Sequence, residues 1–255
     1  MKISFISDLH TKHWQWEVAN KEQLENFYNS DVIIFSGDMS GRGYEHEVKN
    51  FLEWFNNLNK SAVKIFIAGN HDFFFDTEWY GRTKLGADPH ESHNELIQKD
   101  IEKLLRGYPD LIYLNDSGFE YKGVKFWGSP ITPCFHDWAF NRLDDEIGSH
   151  WEVIPDDIDI LITHGPPFGI GDLLHPKFQK LNEDKNVGCP HLLKEINRVK
   201  PIIHAFGHIH EGWGTYKQDN TLFINSSCLD QDYRPINSPI TIELDLLTKA
   251  IKIIK

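Results

Sequence analysis

The sequence contains little cysteine and no long apolar run. Its three cysteines, Cys134, Cys189 and Cys228, are widely spaced and form no CxxC pair, which argues against a disulfide framework and a cysteine-based zinc site. Asp8 and His10 interrupt the first apolar residues, so these do not form a signal peptide, and no stretch approaches the ~20 apolar residues that span a bilayer. We therefore expect a cytoplasmic protein without a membrane segment.

Positive charge is also scarce in this chain. It contains 26 Lys and Arg residues and 38 Asp and Glu residues, which gives a formal net charge of -12. Such a surface repels nucleic-acid backbones and anionic membranes, so no stable binding to nucleic acid is expected. The hydrophobic share of 40% excludes a disordered chain. Histidine is abundant, with 14 residues, and some of these follow a ligand-like spacing.

Short apolar runs alternate with helix-period segments along the first two thirds of the chain. The predicted strands are 2–7, 32–36, 63–68 and 158–163, and the predicted helices are 21–29, 45–58, 91–106 and 190–199. Consecutive short strands follow at 202–206, 213–216, 221–224 and 240–244. This order predicts an α/β fold. Because the candidate ligands described next run from residue 8 to residue 210 and must meet, we expect one domain over 1–255.

Polar motifs follow five of these strands. They are Asp8-x-His10, Gly37-Asp38, Gly69-Asn70-His71-Asp72, His164-Gly165 and Gly207-His208-Ile209-His210. Ligands of open α/β sheets sit beyond the carboxyl ends of strands, so these motifs should converge on one rim. Their nitrogen and oxygen donors suit divalent metals, and two clusters that share one carboxylate would make a two-metal site. Each motif alone is weak evidence, because a turn residue or surface histidine explains it, but the ordered set is specific.

This ordered set resembles the calcineurin-like metallophosphoesterases, whose fold is a four-layer α/β/β/α sandwich with two facing mixed sheets. Further segments are similar to the MPPED-type branch, which is associated with phosphodiesterase activity, including activity on cyclic nucleotides. These segments are 128–130, 137–141, 163–167, 186–189 and 208–212.

The resemblance implies a role for each motif residue. One metal ion would be held by Asp8, His10, Asp38 and His210, and a second by Asp38, Asn70, His164 and His208, so that Asp38 bridges them. Manganese is the expected metal, with iron, zinc, nickel and cobalt as alternatives. A hydroxide bridging the ions would attack phosphorus in line. His71 would lie beside the phosphate and orient or protonate the leaving oxygen, and Asn70 would help to stabilise it.

One motif departs from the protein Ser/Thr phosphatases. Gly41 stands where those enzymes have an aspartate that partners the motif histidine, which argues against a protein phosphatase. Arg42 matches the arginine of that motif and is a candidate phosphate ligand, although a solvated loop arginine explains it equally well. Glu211 is a candidate hydrogen-bond partner of a metal-binding histidine.

Several aromatic residues allow two interpretations. Phe73–Phe75, with Trp79 and Tyr80, would form either a wall that stacks a nucleobase or a loop packed in the core, and we favour the core. His136 and Trp138 would either line the pocket or serve a structural role.

The predicted function is therefore a binuclear metal-dependent phosphoesterase that acts on small phosphodiesters or nucleotides, cyclic nucleotides among them. The main alternative is a non-catalytic metal-binding scaffold with the same fold. A protein phosphatase and a nuclease are less favoured, the nuclease because no basic strip accompanies the motifs. The expected partner is a small phosphate ester, and the oligomeric state is left open.

Overall fold

The computed structural model describes residues 1–78, 91–179 and 185–254. The strands are β1 (Lys2–Ile6), β2 (Val32–Ser36), β3 (Val63–Ile67), β4 (Leu111–Tyr113), β5 (Ser117–Tyr121), β6 (Val124–Ser129), β7 (Thr132–Pro133), β8 (Asn141–Arg142), β9 (Ile160–Thr163), β10 (Ile203–Phe206), β11 (Gly214–Gln218), β12 (Thr221–Asn225), β13 (Ile240–Leu244) and β14 (Ile251–Ile254). The helices are α1 (His13–Ala19), α2 (Glu25–Tyr28), α3 (Glu45–Asn57), α4 (Glu91–Leu105), α5 (Asp144–Trp151) and α6 (Pro190–Val199).

Two six-stranded mixed sheets form the centre of the molecule. In sheet 1 the order is β14-β13-β1-β2-β3-β4, with β1 to β4 parallel and β13 and β14 antiparallel at one edge. In sheet 2 the order is β11-β12-β10-β9-β6-β5, with four parallel central strands and one antiparallel strand at each edge. Because the central strands of both sheets are parallel, their carboxyl ends gather along one edge of each sheet.

The alternation of side chains along each strand divides the apolar residues between separate cores. On β2, Ile34 belongs to the core between the two sheets, whereas Phe35 belongs to the outer core and lies 4.4 Å from the Phe51 ring of α3. On β9, Ile162 likewise joins the inner core, and Leu161 joins the apolar cluster that contains residues of α6. The layers therefore run helix, sheet, sheet, helix, which confirms the predicted four-layer α/β/β/α sandwich.

The structure also corrects the predicted element order. The segment 111–142, for which no strand was predicted, contributes five strands. The predicted helix 21–29 is divided into a 3-10 turn at Lys21–Gln23 and the short α2. The late strands do not form a simple meander, because β12 pairs parallel with β10 and β13 returns to β1 in the other sheet. Within the described residues, no helix is both long enough and apolar enough to cross a membrane.

Candidate metal centre

The two sheets are joined at the carboxyl ends of their central strands. Ser7, directly after β1, donates its N–H to Ser226 O at 3.0 Å and accepts from Cys228 N at 3.0 Å. His164, directly after β9, places Nδ1 2.9 Å from Ser36 O at the end of β2. Each of these bonds connects one sheet to the other. The motif residues from distant parts of the chain therefore share one rim, as the sequence predicted.

Asp8 is fixed on one side of this rim. Its carboxylate accepts from Ser7 Oγ at 2.5 Å, from Ser227 Oγ at 3.0 Å and from the backbone N–H of His208 at 3.0 Å. His210 Nε2 lies 3.4 Å from Asp8 Oδ1, while His210 Nδ1 lies 2.9 Å from Asp230 O. The backbone carbonyl holds the ring so that Nε2 faces the carboxylate, an arrangement common for metal-binding histidines.

Asp38 occupies the middle of the cluster. Its Oδ2 lies 3.6 Å from His10 Nε2 and 3.3 Å from His164 Nε2, and its Oδ1 accepts from the backbone N–H of His71 at 2.9 Å. His164 Nε2 is also 2.9 Å from Asn70 Oδ1. Asp38 is thus the carboxylate that reaches donors from both halves of the predicted site.

Among the residues that the structure describes, three groups of side chains offer closely spaced ligand atoms. Within each group these atoms lie within 4.8 Å of one another, and the groups are Asp8, His10 and His210; His10, Asp38 and His71; and Asp38, His164 and His208. The first group contains the predicted ligands of one ion except Asp38, and the third group contains those of the other ion except Asn70. The second group adds His71, which the resemblance placed beside the phosphate. The structure brings all of these residues together, and their individual roles stay predictions.

The donors fit a divalent cation. His10 is buried, and neither of its ring nitrogens has a hydrogen-bond partner within the part of the chain that the structure describes. A buried imidazole without a partner is costly, because it has given up its bonds to water. An ion that accepts the His10 lone pair removes this cost, and the surrounding nitrogen and oxygen atoms are those that manganese, iron and zinc bind.

The electrostatics of the cluster depend on burial and on paired charges. Burial opposes ionisation of Asp38, but the positive charge of His164 outweighs it, so the pKa of Asp38 lies well below its ordinary value. Burial likewise opposes protonation of His164, yet Asp38 raises the pKa of His164 to about 9. Burial dominates at His10 and lowers its pKa to about 3. The cluster therefore keeps Asp8 and Asp38 ionised and His10 neutral, as metal ligation requires, whereas His164 holds a proton that a bound ion would displace.

Several ligand residues have unfavourable backbone conformations. Asp8, His10, Asp38 and His208 have φ values of 53°, 41°, 62° and 68°, in the left-handed region that non-glycine residues rarely adopt. Such strain costs about 1 to 3 kcal/mol per residue and persists only where the surrounding structure enforces it. Here the hydrogen bonds between strand ends enforce it.

Asp72 is part of a motif quoted above, but sequence reasoning gave it no role. It is fully buried, and its carboxylate accepts five hydrogen bonds of 2.6 to 3.2 Å, from the backbone of Asp38, Met39, Ser40 and Gly69 and from Ser40 Oγ. Burial, followed by the charge of Asp38, raises the pKa of Asp72 to about 6. Asp72 thus fastens the Asp38 loop to the Asn70 loop. The signal for it in the sequence was its position directly after the candidate site residues Asn70 and His71.

His71 is oriented by a backbone carbonyl. Its Nδ1 lies 2.8 Å from Gly41 O, at the position where the protein phosphatases carry an aspartate. A neutral acceptor therefore replaces the carboxylate that the sequence lacks. Arg42, one residue further, is exposed, and its backbone N–H donates to Glu47 at 3.0 Å. Its contact with a phosphate stays a prediction.

The aromatic residues near the rim differ from those the sequence emphasised. Phe73–Phe75 are buried in the outer core, which agrees with the core interpretation, while Trp79 and Tyr80 lie outside the described residues. Trp138 packs on His71 with ring centroids 4.2 Å apart, and the exposed His136 contacts Phe135 instead. Tyr233, which sequence reasoning missed, lies against two histidines of the cluster.

The expectation for Glu211 was wrong. Its Oε1 accepts from the backbone N–H of His175 at 3.1 Å, and the second nitrogen of His210 contacts Asp230 O instead. Glu211 therefore anchors the loop after β9. All three cysteines are free, and Cys189 and Cys228 are buried, as expected for small apolar residues.

Two facing mixed sheets, with an Asp, Asn and His cluster where their carboxyl ends meet, define the metallophosphoesterase fold. A solved structure from Thermus thermophilus shares this fold with a TM-score of 0.58 at 12% identity, over 99% of this chain and 97% of that one. The profile of the calcineurin-like phosphoesterase family matches residues 1–212. The chain belongs to this family.

Curated relatives place the chain near one group within that family. Metallophosphoesterase domain-containing protein 1 of Homo sapiens is 39% identical over 217 residues, which are 84% of this chain and 64% of that protein. A UPF0046 protein of Caenorhabditis elegans is 32% identical over 251 residues, which are 96% of this chain and 82% of that protein. The chain thus spans less than two thirds of the length of the human relative.

Proposed function

We propose that this protein is a binuclear metal-dependent phosphoesterase that hydrolyses small phosphodiesters or nucleotides. The observation that carries the proposal is the convergence of separate donor groups on Asp38, whose Oδ2 lies 3.3 Å from His164 Nε2 and 3.6 Å from His10 Nε2. Membership of the calcineurin-like phosphoesterase family and the name of the human relative support it.

The proposed ligand sets are those that the family resemblance implies, and the close approach of their donor atoms supports them. One ion would be held by Asp8, His10, Asp38 and His210, and the other by Asp38, Asn70, His164 and His208. When bound, two divalent ions supply positive charge for the phosphate oxygens and lower the pKa of water toward neutrality. Manganese is our first choice, because Mn²⁺ accepts both carboxylate oxygens and imidazole nitrogens.

The protein's own side chains would position the ester. The carbonyl oxygen of Gly41 accepts a hydrogen bond from Nδ1 of His71. The other ring nitrogen, Nε2, is therefore the one available to a substrate. With a proton on both ring nitrogens, His71 would donate a hydrogen bond from Nε2 to the phosphoryl group and give that proton to the leaving oxygen. The backbone N–H of His71 also binds Asp38, so the same residue holds the central carboxylate and faces the substrate.

The acidic surface is compatible with an anionic substrate only if the positive charge is local. The chain carries a net charge of -12, and Asp8, Asp38 and Asp72 are all buried at the rim. Bound cations are often the largest local charges in a site. They would make this rim attractive to phosphate while the rest of the surface disfavours nucleic-acid polymers.

Hydrolysis of bis-p-nitrophenyl phosphate after loading with Mn²⁺ tests the proposal. We expect turnover by the native chain and its loss in Asp38→Asn, together with a lower metal content, because the shared anion is removed. The control Asp219→Asn alters an aspartate in the turn between β11 and β12 and should change neither quantity. Metal binding without turnover, with Mn²⁺, Fe²⁺, Zn²⁺ or Ni²⁺, would instead identify a scaffold. Retention of two tightly bound ions in Asp38→Asn would contradict the bridging assignment.

A substrate panel would then refine the proposal. Cyclic 2′,3′- and 3′,5′-nucleotides, linear nucleotides and simple monoesters would be compared at one fixed metal loading. Preferential turnover of cyclic nucleotides would agree with the branch that the sequence resembles.

A further inference from the structure

Four aromatic rings at the rim of the metal centre contact one another in sequence, and we call this series of contacts the row. Trp138 lies 4.2 Å from His71, His71 lies 4.6 Å from His10, and His10 lies 5.0 Å from Tyr233, all measured between ring centroids. Tyr233 also lies 5.2 Å from His210. The two histidines in the middle are candidate metal or phosphate contacts, whereas the tryptophan and the tyrosine stand at the ends of the row.

Trp138 is held in place by its neighbours. The N–H of Ala139 donates to Asn70 O at 3.2 Å, and the N–H of Phe140 donates to Asp76 Oδ2 at 2.6 Å. These bonds tie the loop between β7 and β8 to the turn that carries Asn70. The indole also stacks on Phe73 at 5.5 Å. It is therefore a preformed wall on the His71 side.

Tyr233 is held by a separate turn. Asp230 accepts from the backbone N–H groups of Asp232 and Arg234 and from the Arg234 guanidinium, and the N–H of Tyr233 donates to Asp230 O at 2.8 Å. Lys12 Nζ donates to Tyr233 O at 2.7 Å. The tyrosine is nevertheless 41% exposed, so its ring covers His10 and His210 while remaining accessible to a ligand.

We propose that Trp138 and Tyr233 are the two side walls of the substrate site and that they select phosphodiesters, with one organic group against each ring. This inference rests on the proposed function. A phosphate bound at the centre of the row points its two ester oxygens outward. A monoester fills only one side, whereas a diester with planar or apolar groups contacts both rings. Aromatic contacts of this kind contribute severalfold each to affinity.

Two non-hydrolysable anions of equal charge allow the contribution of the aromatic contacts to affinity to be measured without turnover. Diphenylphosphinate has two aryl groups, methyl(phenyl)phosphinate has one, and both carry a single negative charge. Isothermal titration calorimetry on the Mn²⁺-loaded chain should show about tenfold tighter binding of diphenylphosphinate. Trp138→Leu and Tyr233→Leu should each reduce that ratio to about twofold or less. Tyr233→Phe should retain it, because the ring rather than the hydroxyl makes the contact.

Matched controls replace aromatic residues away from the rim. Trp14→Leu changes a 55% exposed tryptophan on α1, and Tyr28→Leu changes a 39% exposed tyrosine on α2. Both should keep the wild-type ratio, and all variants should keep wild-type metal content and remain folded at the temperature of the titration. The proposal is overturned if the rim variants keep the ratio, if the control variants lose it equally, or if diphenylphosphinate does not bind.

Kinetics complete the test. In each rim leucine variant, kcat/KM for bis-p-nitrophenyl phosphate should fall about fivefold or more relative to kcat/KM for p-nitrophenyl phosphate, mainly through KM. If the ratio of kcat/KM for the two esters is unchanged in these variants, Trp138 and Tyr233 do not select diesters. The proposed function is then unaffected. If the native chain hydrolyses neither ester but shows the predicted phosphinate ratios, the walls stand and the proposed function fails.

Discussion

Gly207 separates β10 from the candidate ligand His208, and the structure leaves no space for a larger side chain at Gly207. A Cβ at this position would lie 2.1 Å from Asp8 Oδ2 and 2.3 Å from Ser7 Oγ. The backbone φ of Gly207 is not in the left-handed region, so the substitution Gly207→Ala is a purely steric perturbation. The added methyl group would overlap the carboxylate of Asp8, a candidate metal ligand.

The expected size of the effect follows from what holds Asp8. Relief of the overlap requires Asp8 to move by about 1 Å, away from its hydrogen bonds with Ser7, Ser227 and His208. Overpacking of this kind lowers the free energy of unfolding by about 1 to 3 kcal/mol. A misplacement of about 1 Å within a catalytic site costs about 10²-fold in rate. We therefore expect Gly207→Ala to lose metal and to hydrolyse esters at least about 10²-fold more slowly.

Urea unfolding, metal analysis and turnover of bis-p-nitrophenyl phosphate measure the three effects. The matched control is Gly165→Ala, which also follows a ligand residue at a strand end. Its Cβ would meet only Thr132 Cγ2, at an ordinary contact distance of 3.4 Å, so stability and activity should change little. If Gly207→Ala keeps wild-type metal content and turnover, Asp8 does not need its present position and the ligand assignment is wrong.

Three further predictions concern the same site. His71→Ala should retain wild-type metal content, measured by elemental analysis, while hydrolysis slows by ~10² or more; a parallel loss of metal would make His71 a ligand. Asp72→Asn should lower the free energy of unfolding in urea by about 1 to 3 kcal/mol and lower metal content, because an amide cannot accept all five of the hydrogen bonds made by this carboxylate. Removal of metal with a chelator should lower the melting temperature in calorimetry, because a ligand at about 10² times its Kd stabilises the folded state by about 2.7 kcal/mol; an unchanged melting temperature would argue against binding at the buried carboxylates.

The parts of the fold that could be predicted are those encoded by neighbouring residues. The strand β2 is a run of buried apolar residues followed by Gly37-Asp38, and both features are visible in a few consecutive letters. The same holds for α6, whose predicted bounds match the structure at Pro190 and Val199. In the segment 111–142, β5 and β6 were overlooked although their side chains alternate in burial. The strands β4, β7 and β8 could not be predicted, because they are only two or three residues long. Such strands depend on pairing partners rather than on periodicity.

The site was predictable to the extent that its ligands occur in short motifs at strand ends. Asp8, Asp38 and His164 could be placed on one rim because parallel strands end together. Trp138 and Tyr233 could not be assigned with them, since each reaches the rim through a loop anchored by long-range hydrogen bonds. These hydrogen bonds join residues that are far apart in the chain, so no pattern of neighbouring residues predicts them.

The contacts that build the rim also explain why it tolerates so much buried negative charge. Asp8 is paired with His210, and Asp38 is paired with His164, whose pKa is raised to about 9 because burial is outweighed by that carboxylate. These pairs balance the charge through protons, and divalent ions would replace the protons at the same positions. The bonds of Asp8 to Ser227 and to the backbone of His208 involve no ligand nitrogen, so they do not compete with a bound ion for the histidines. The same bonds between the two sheets hold Asp8 and His208 in their left-handed backbone conformations.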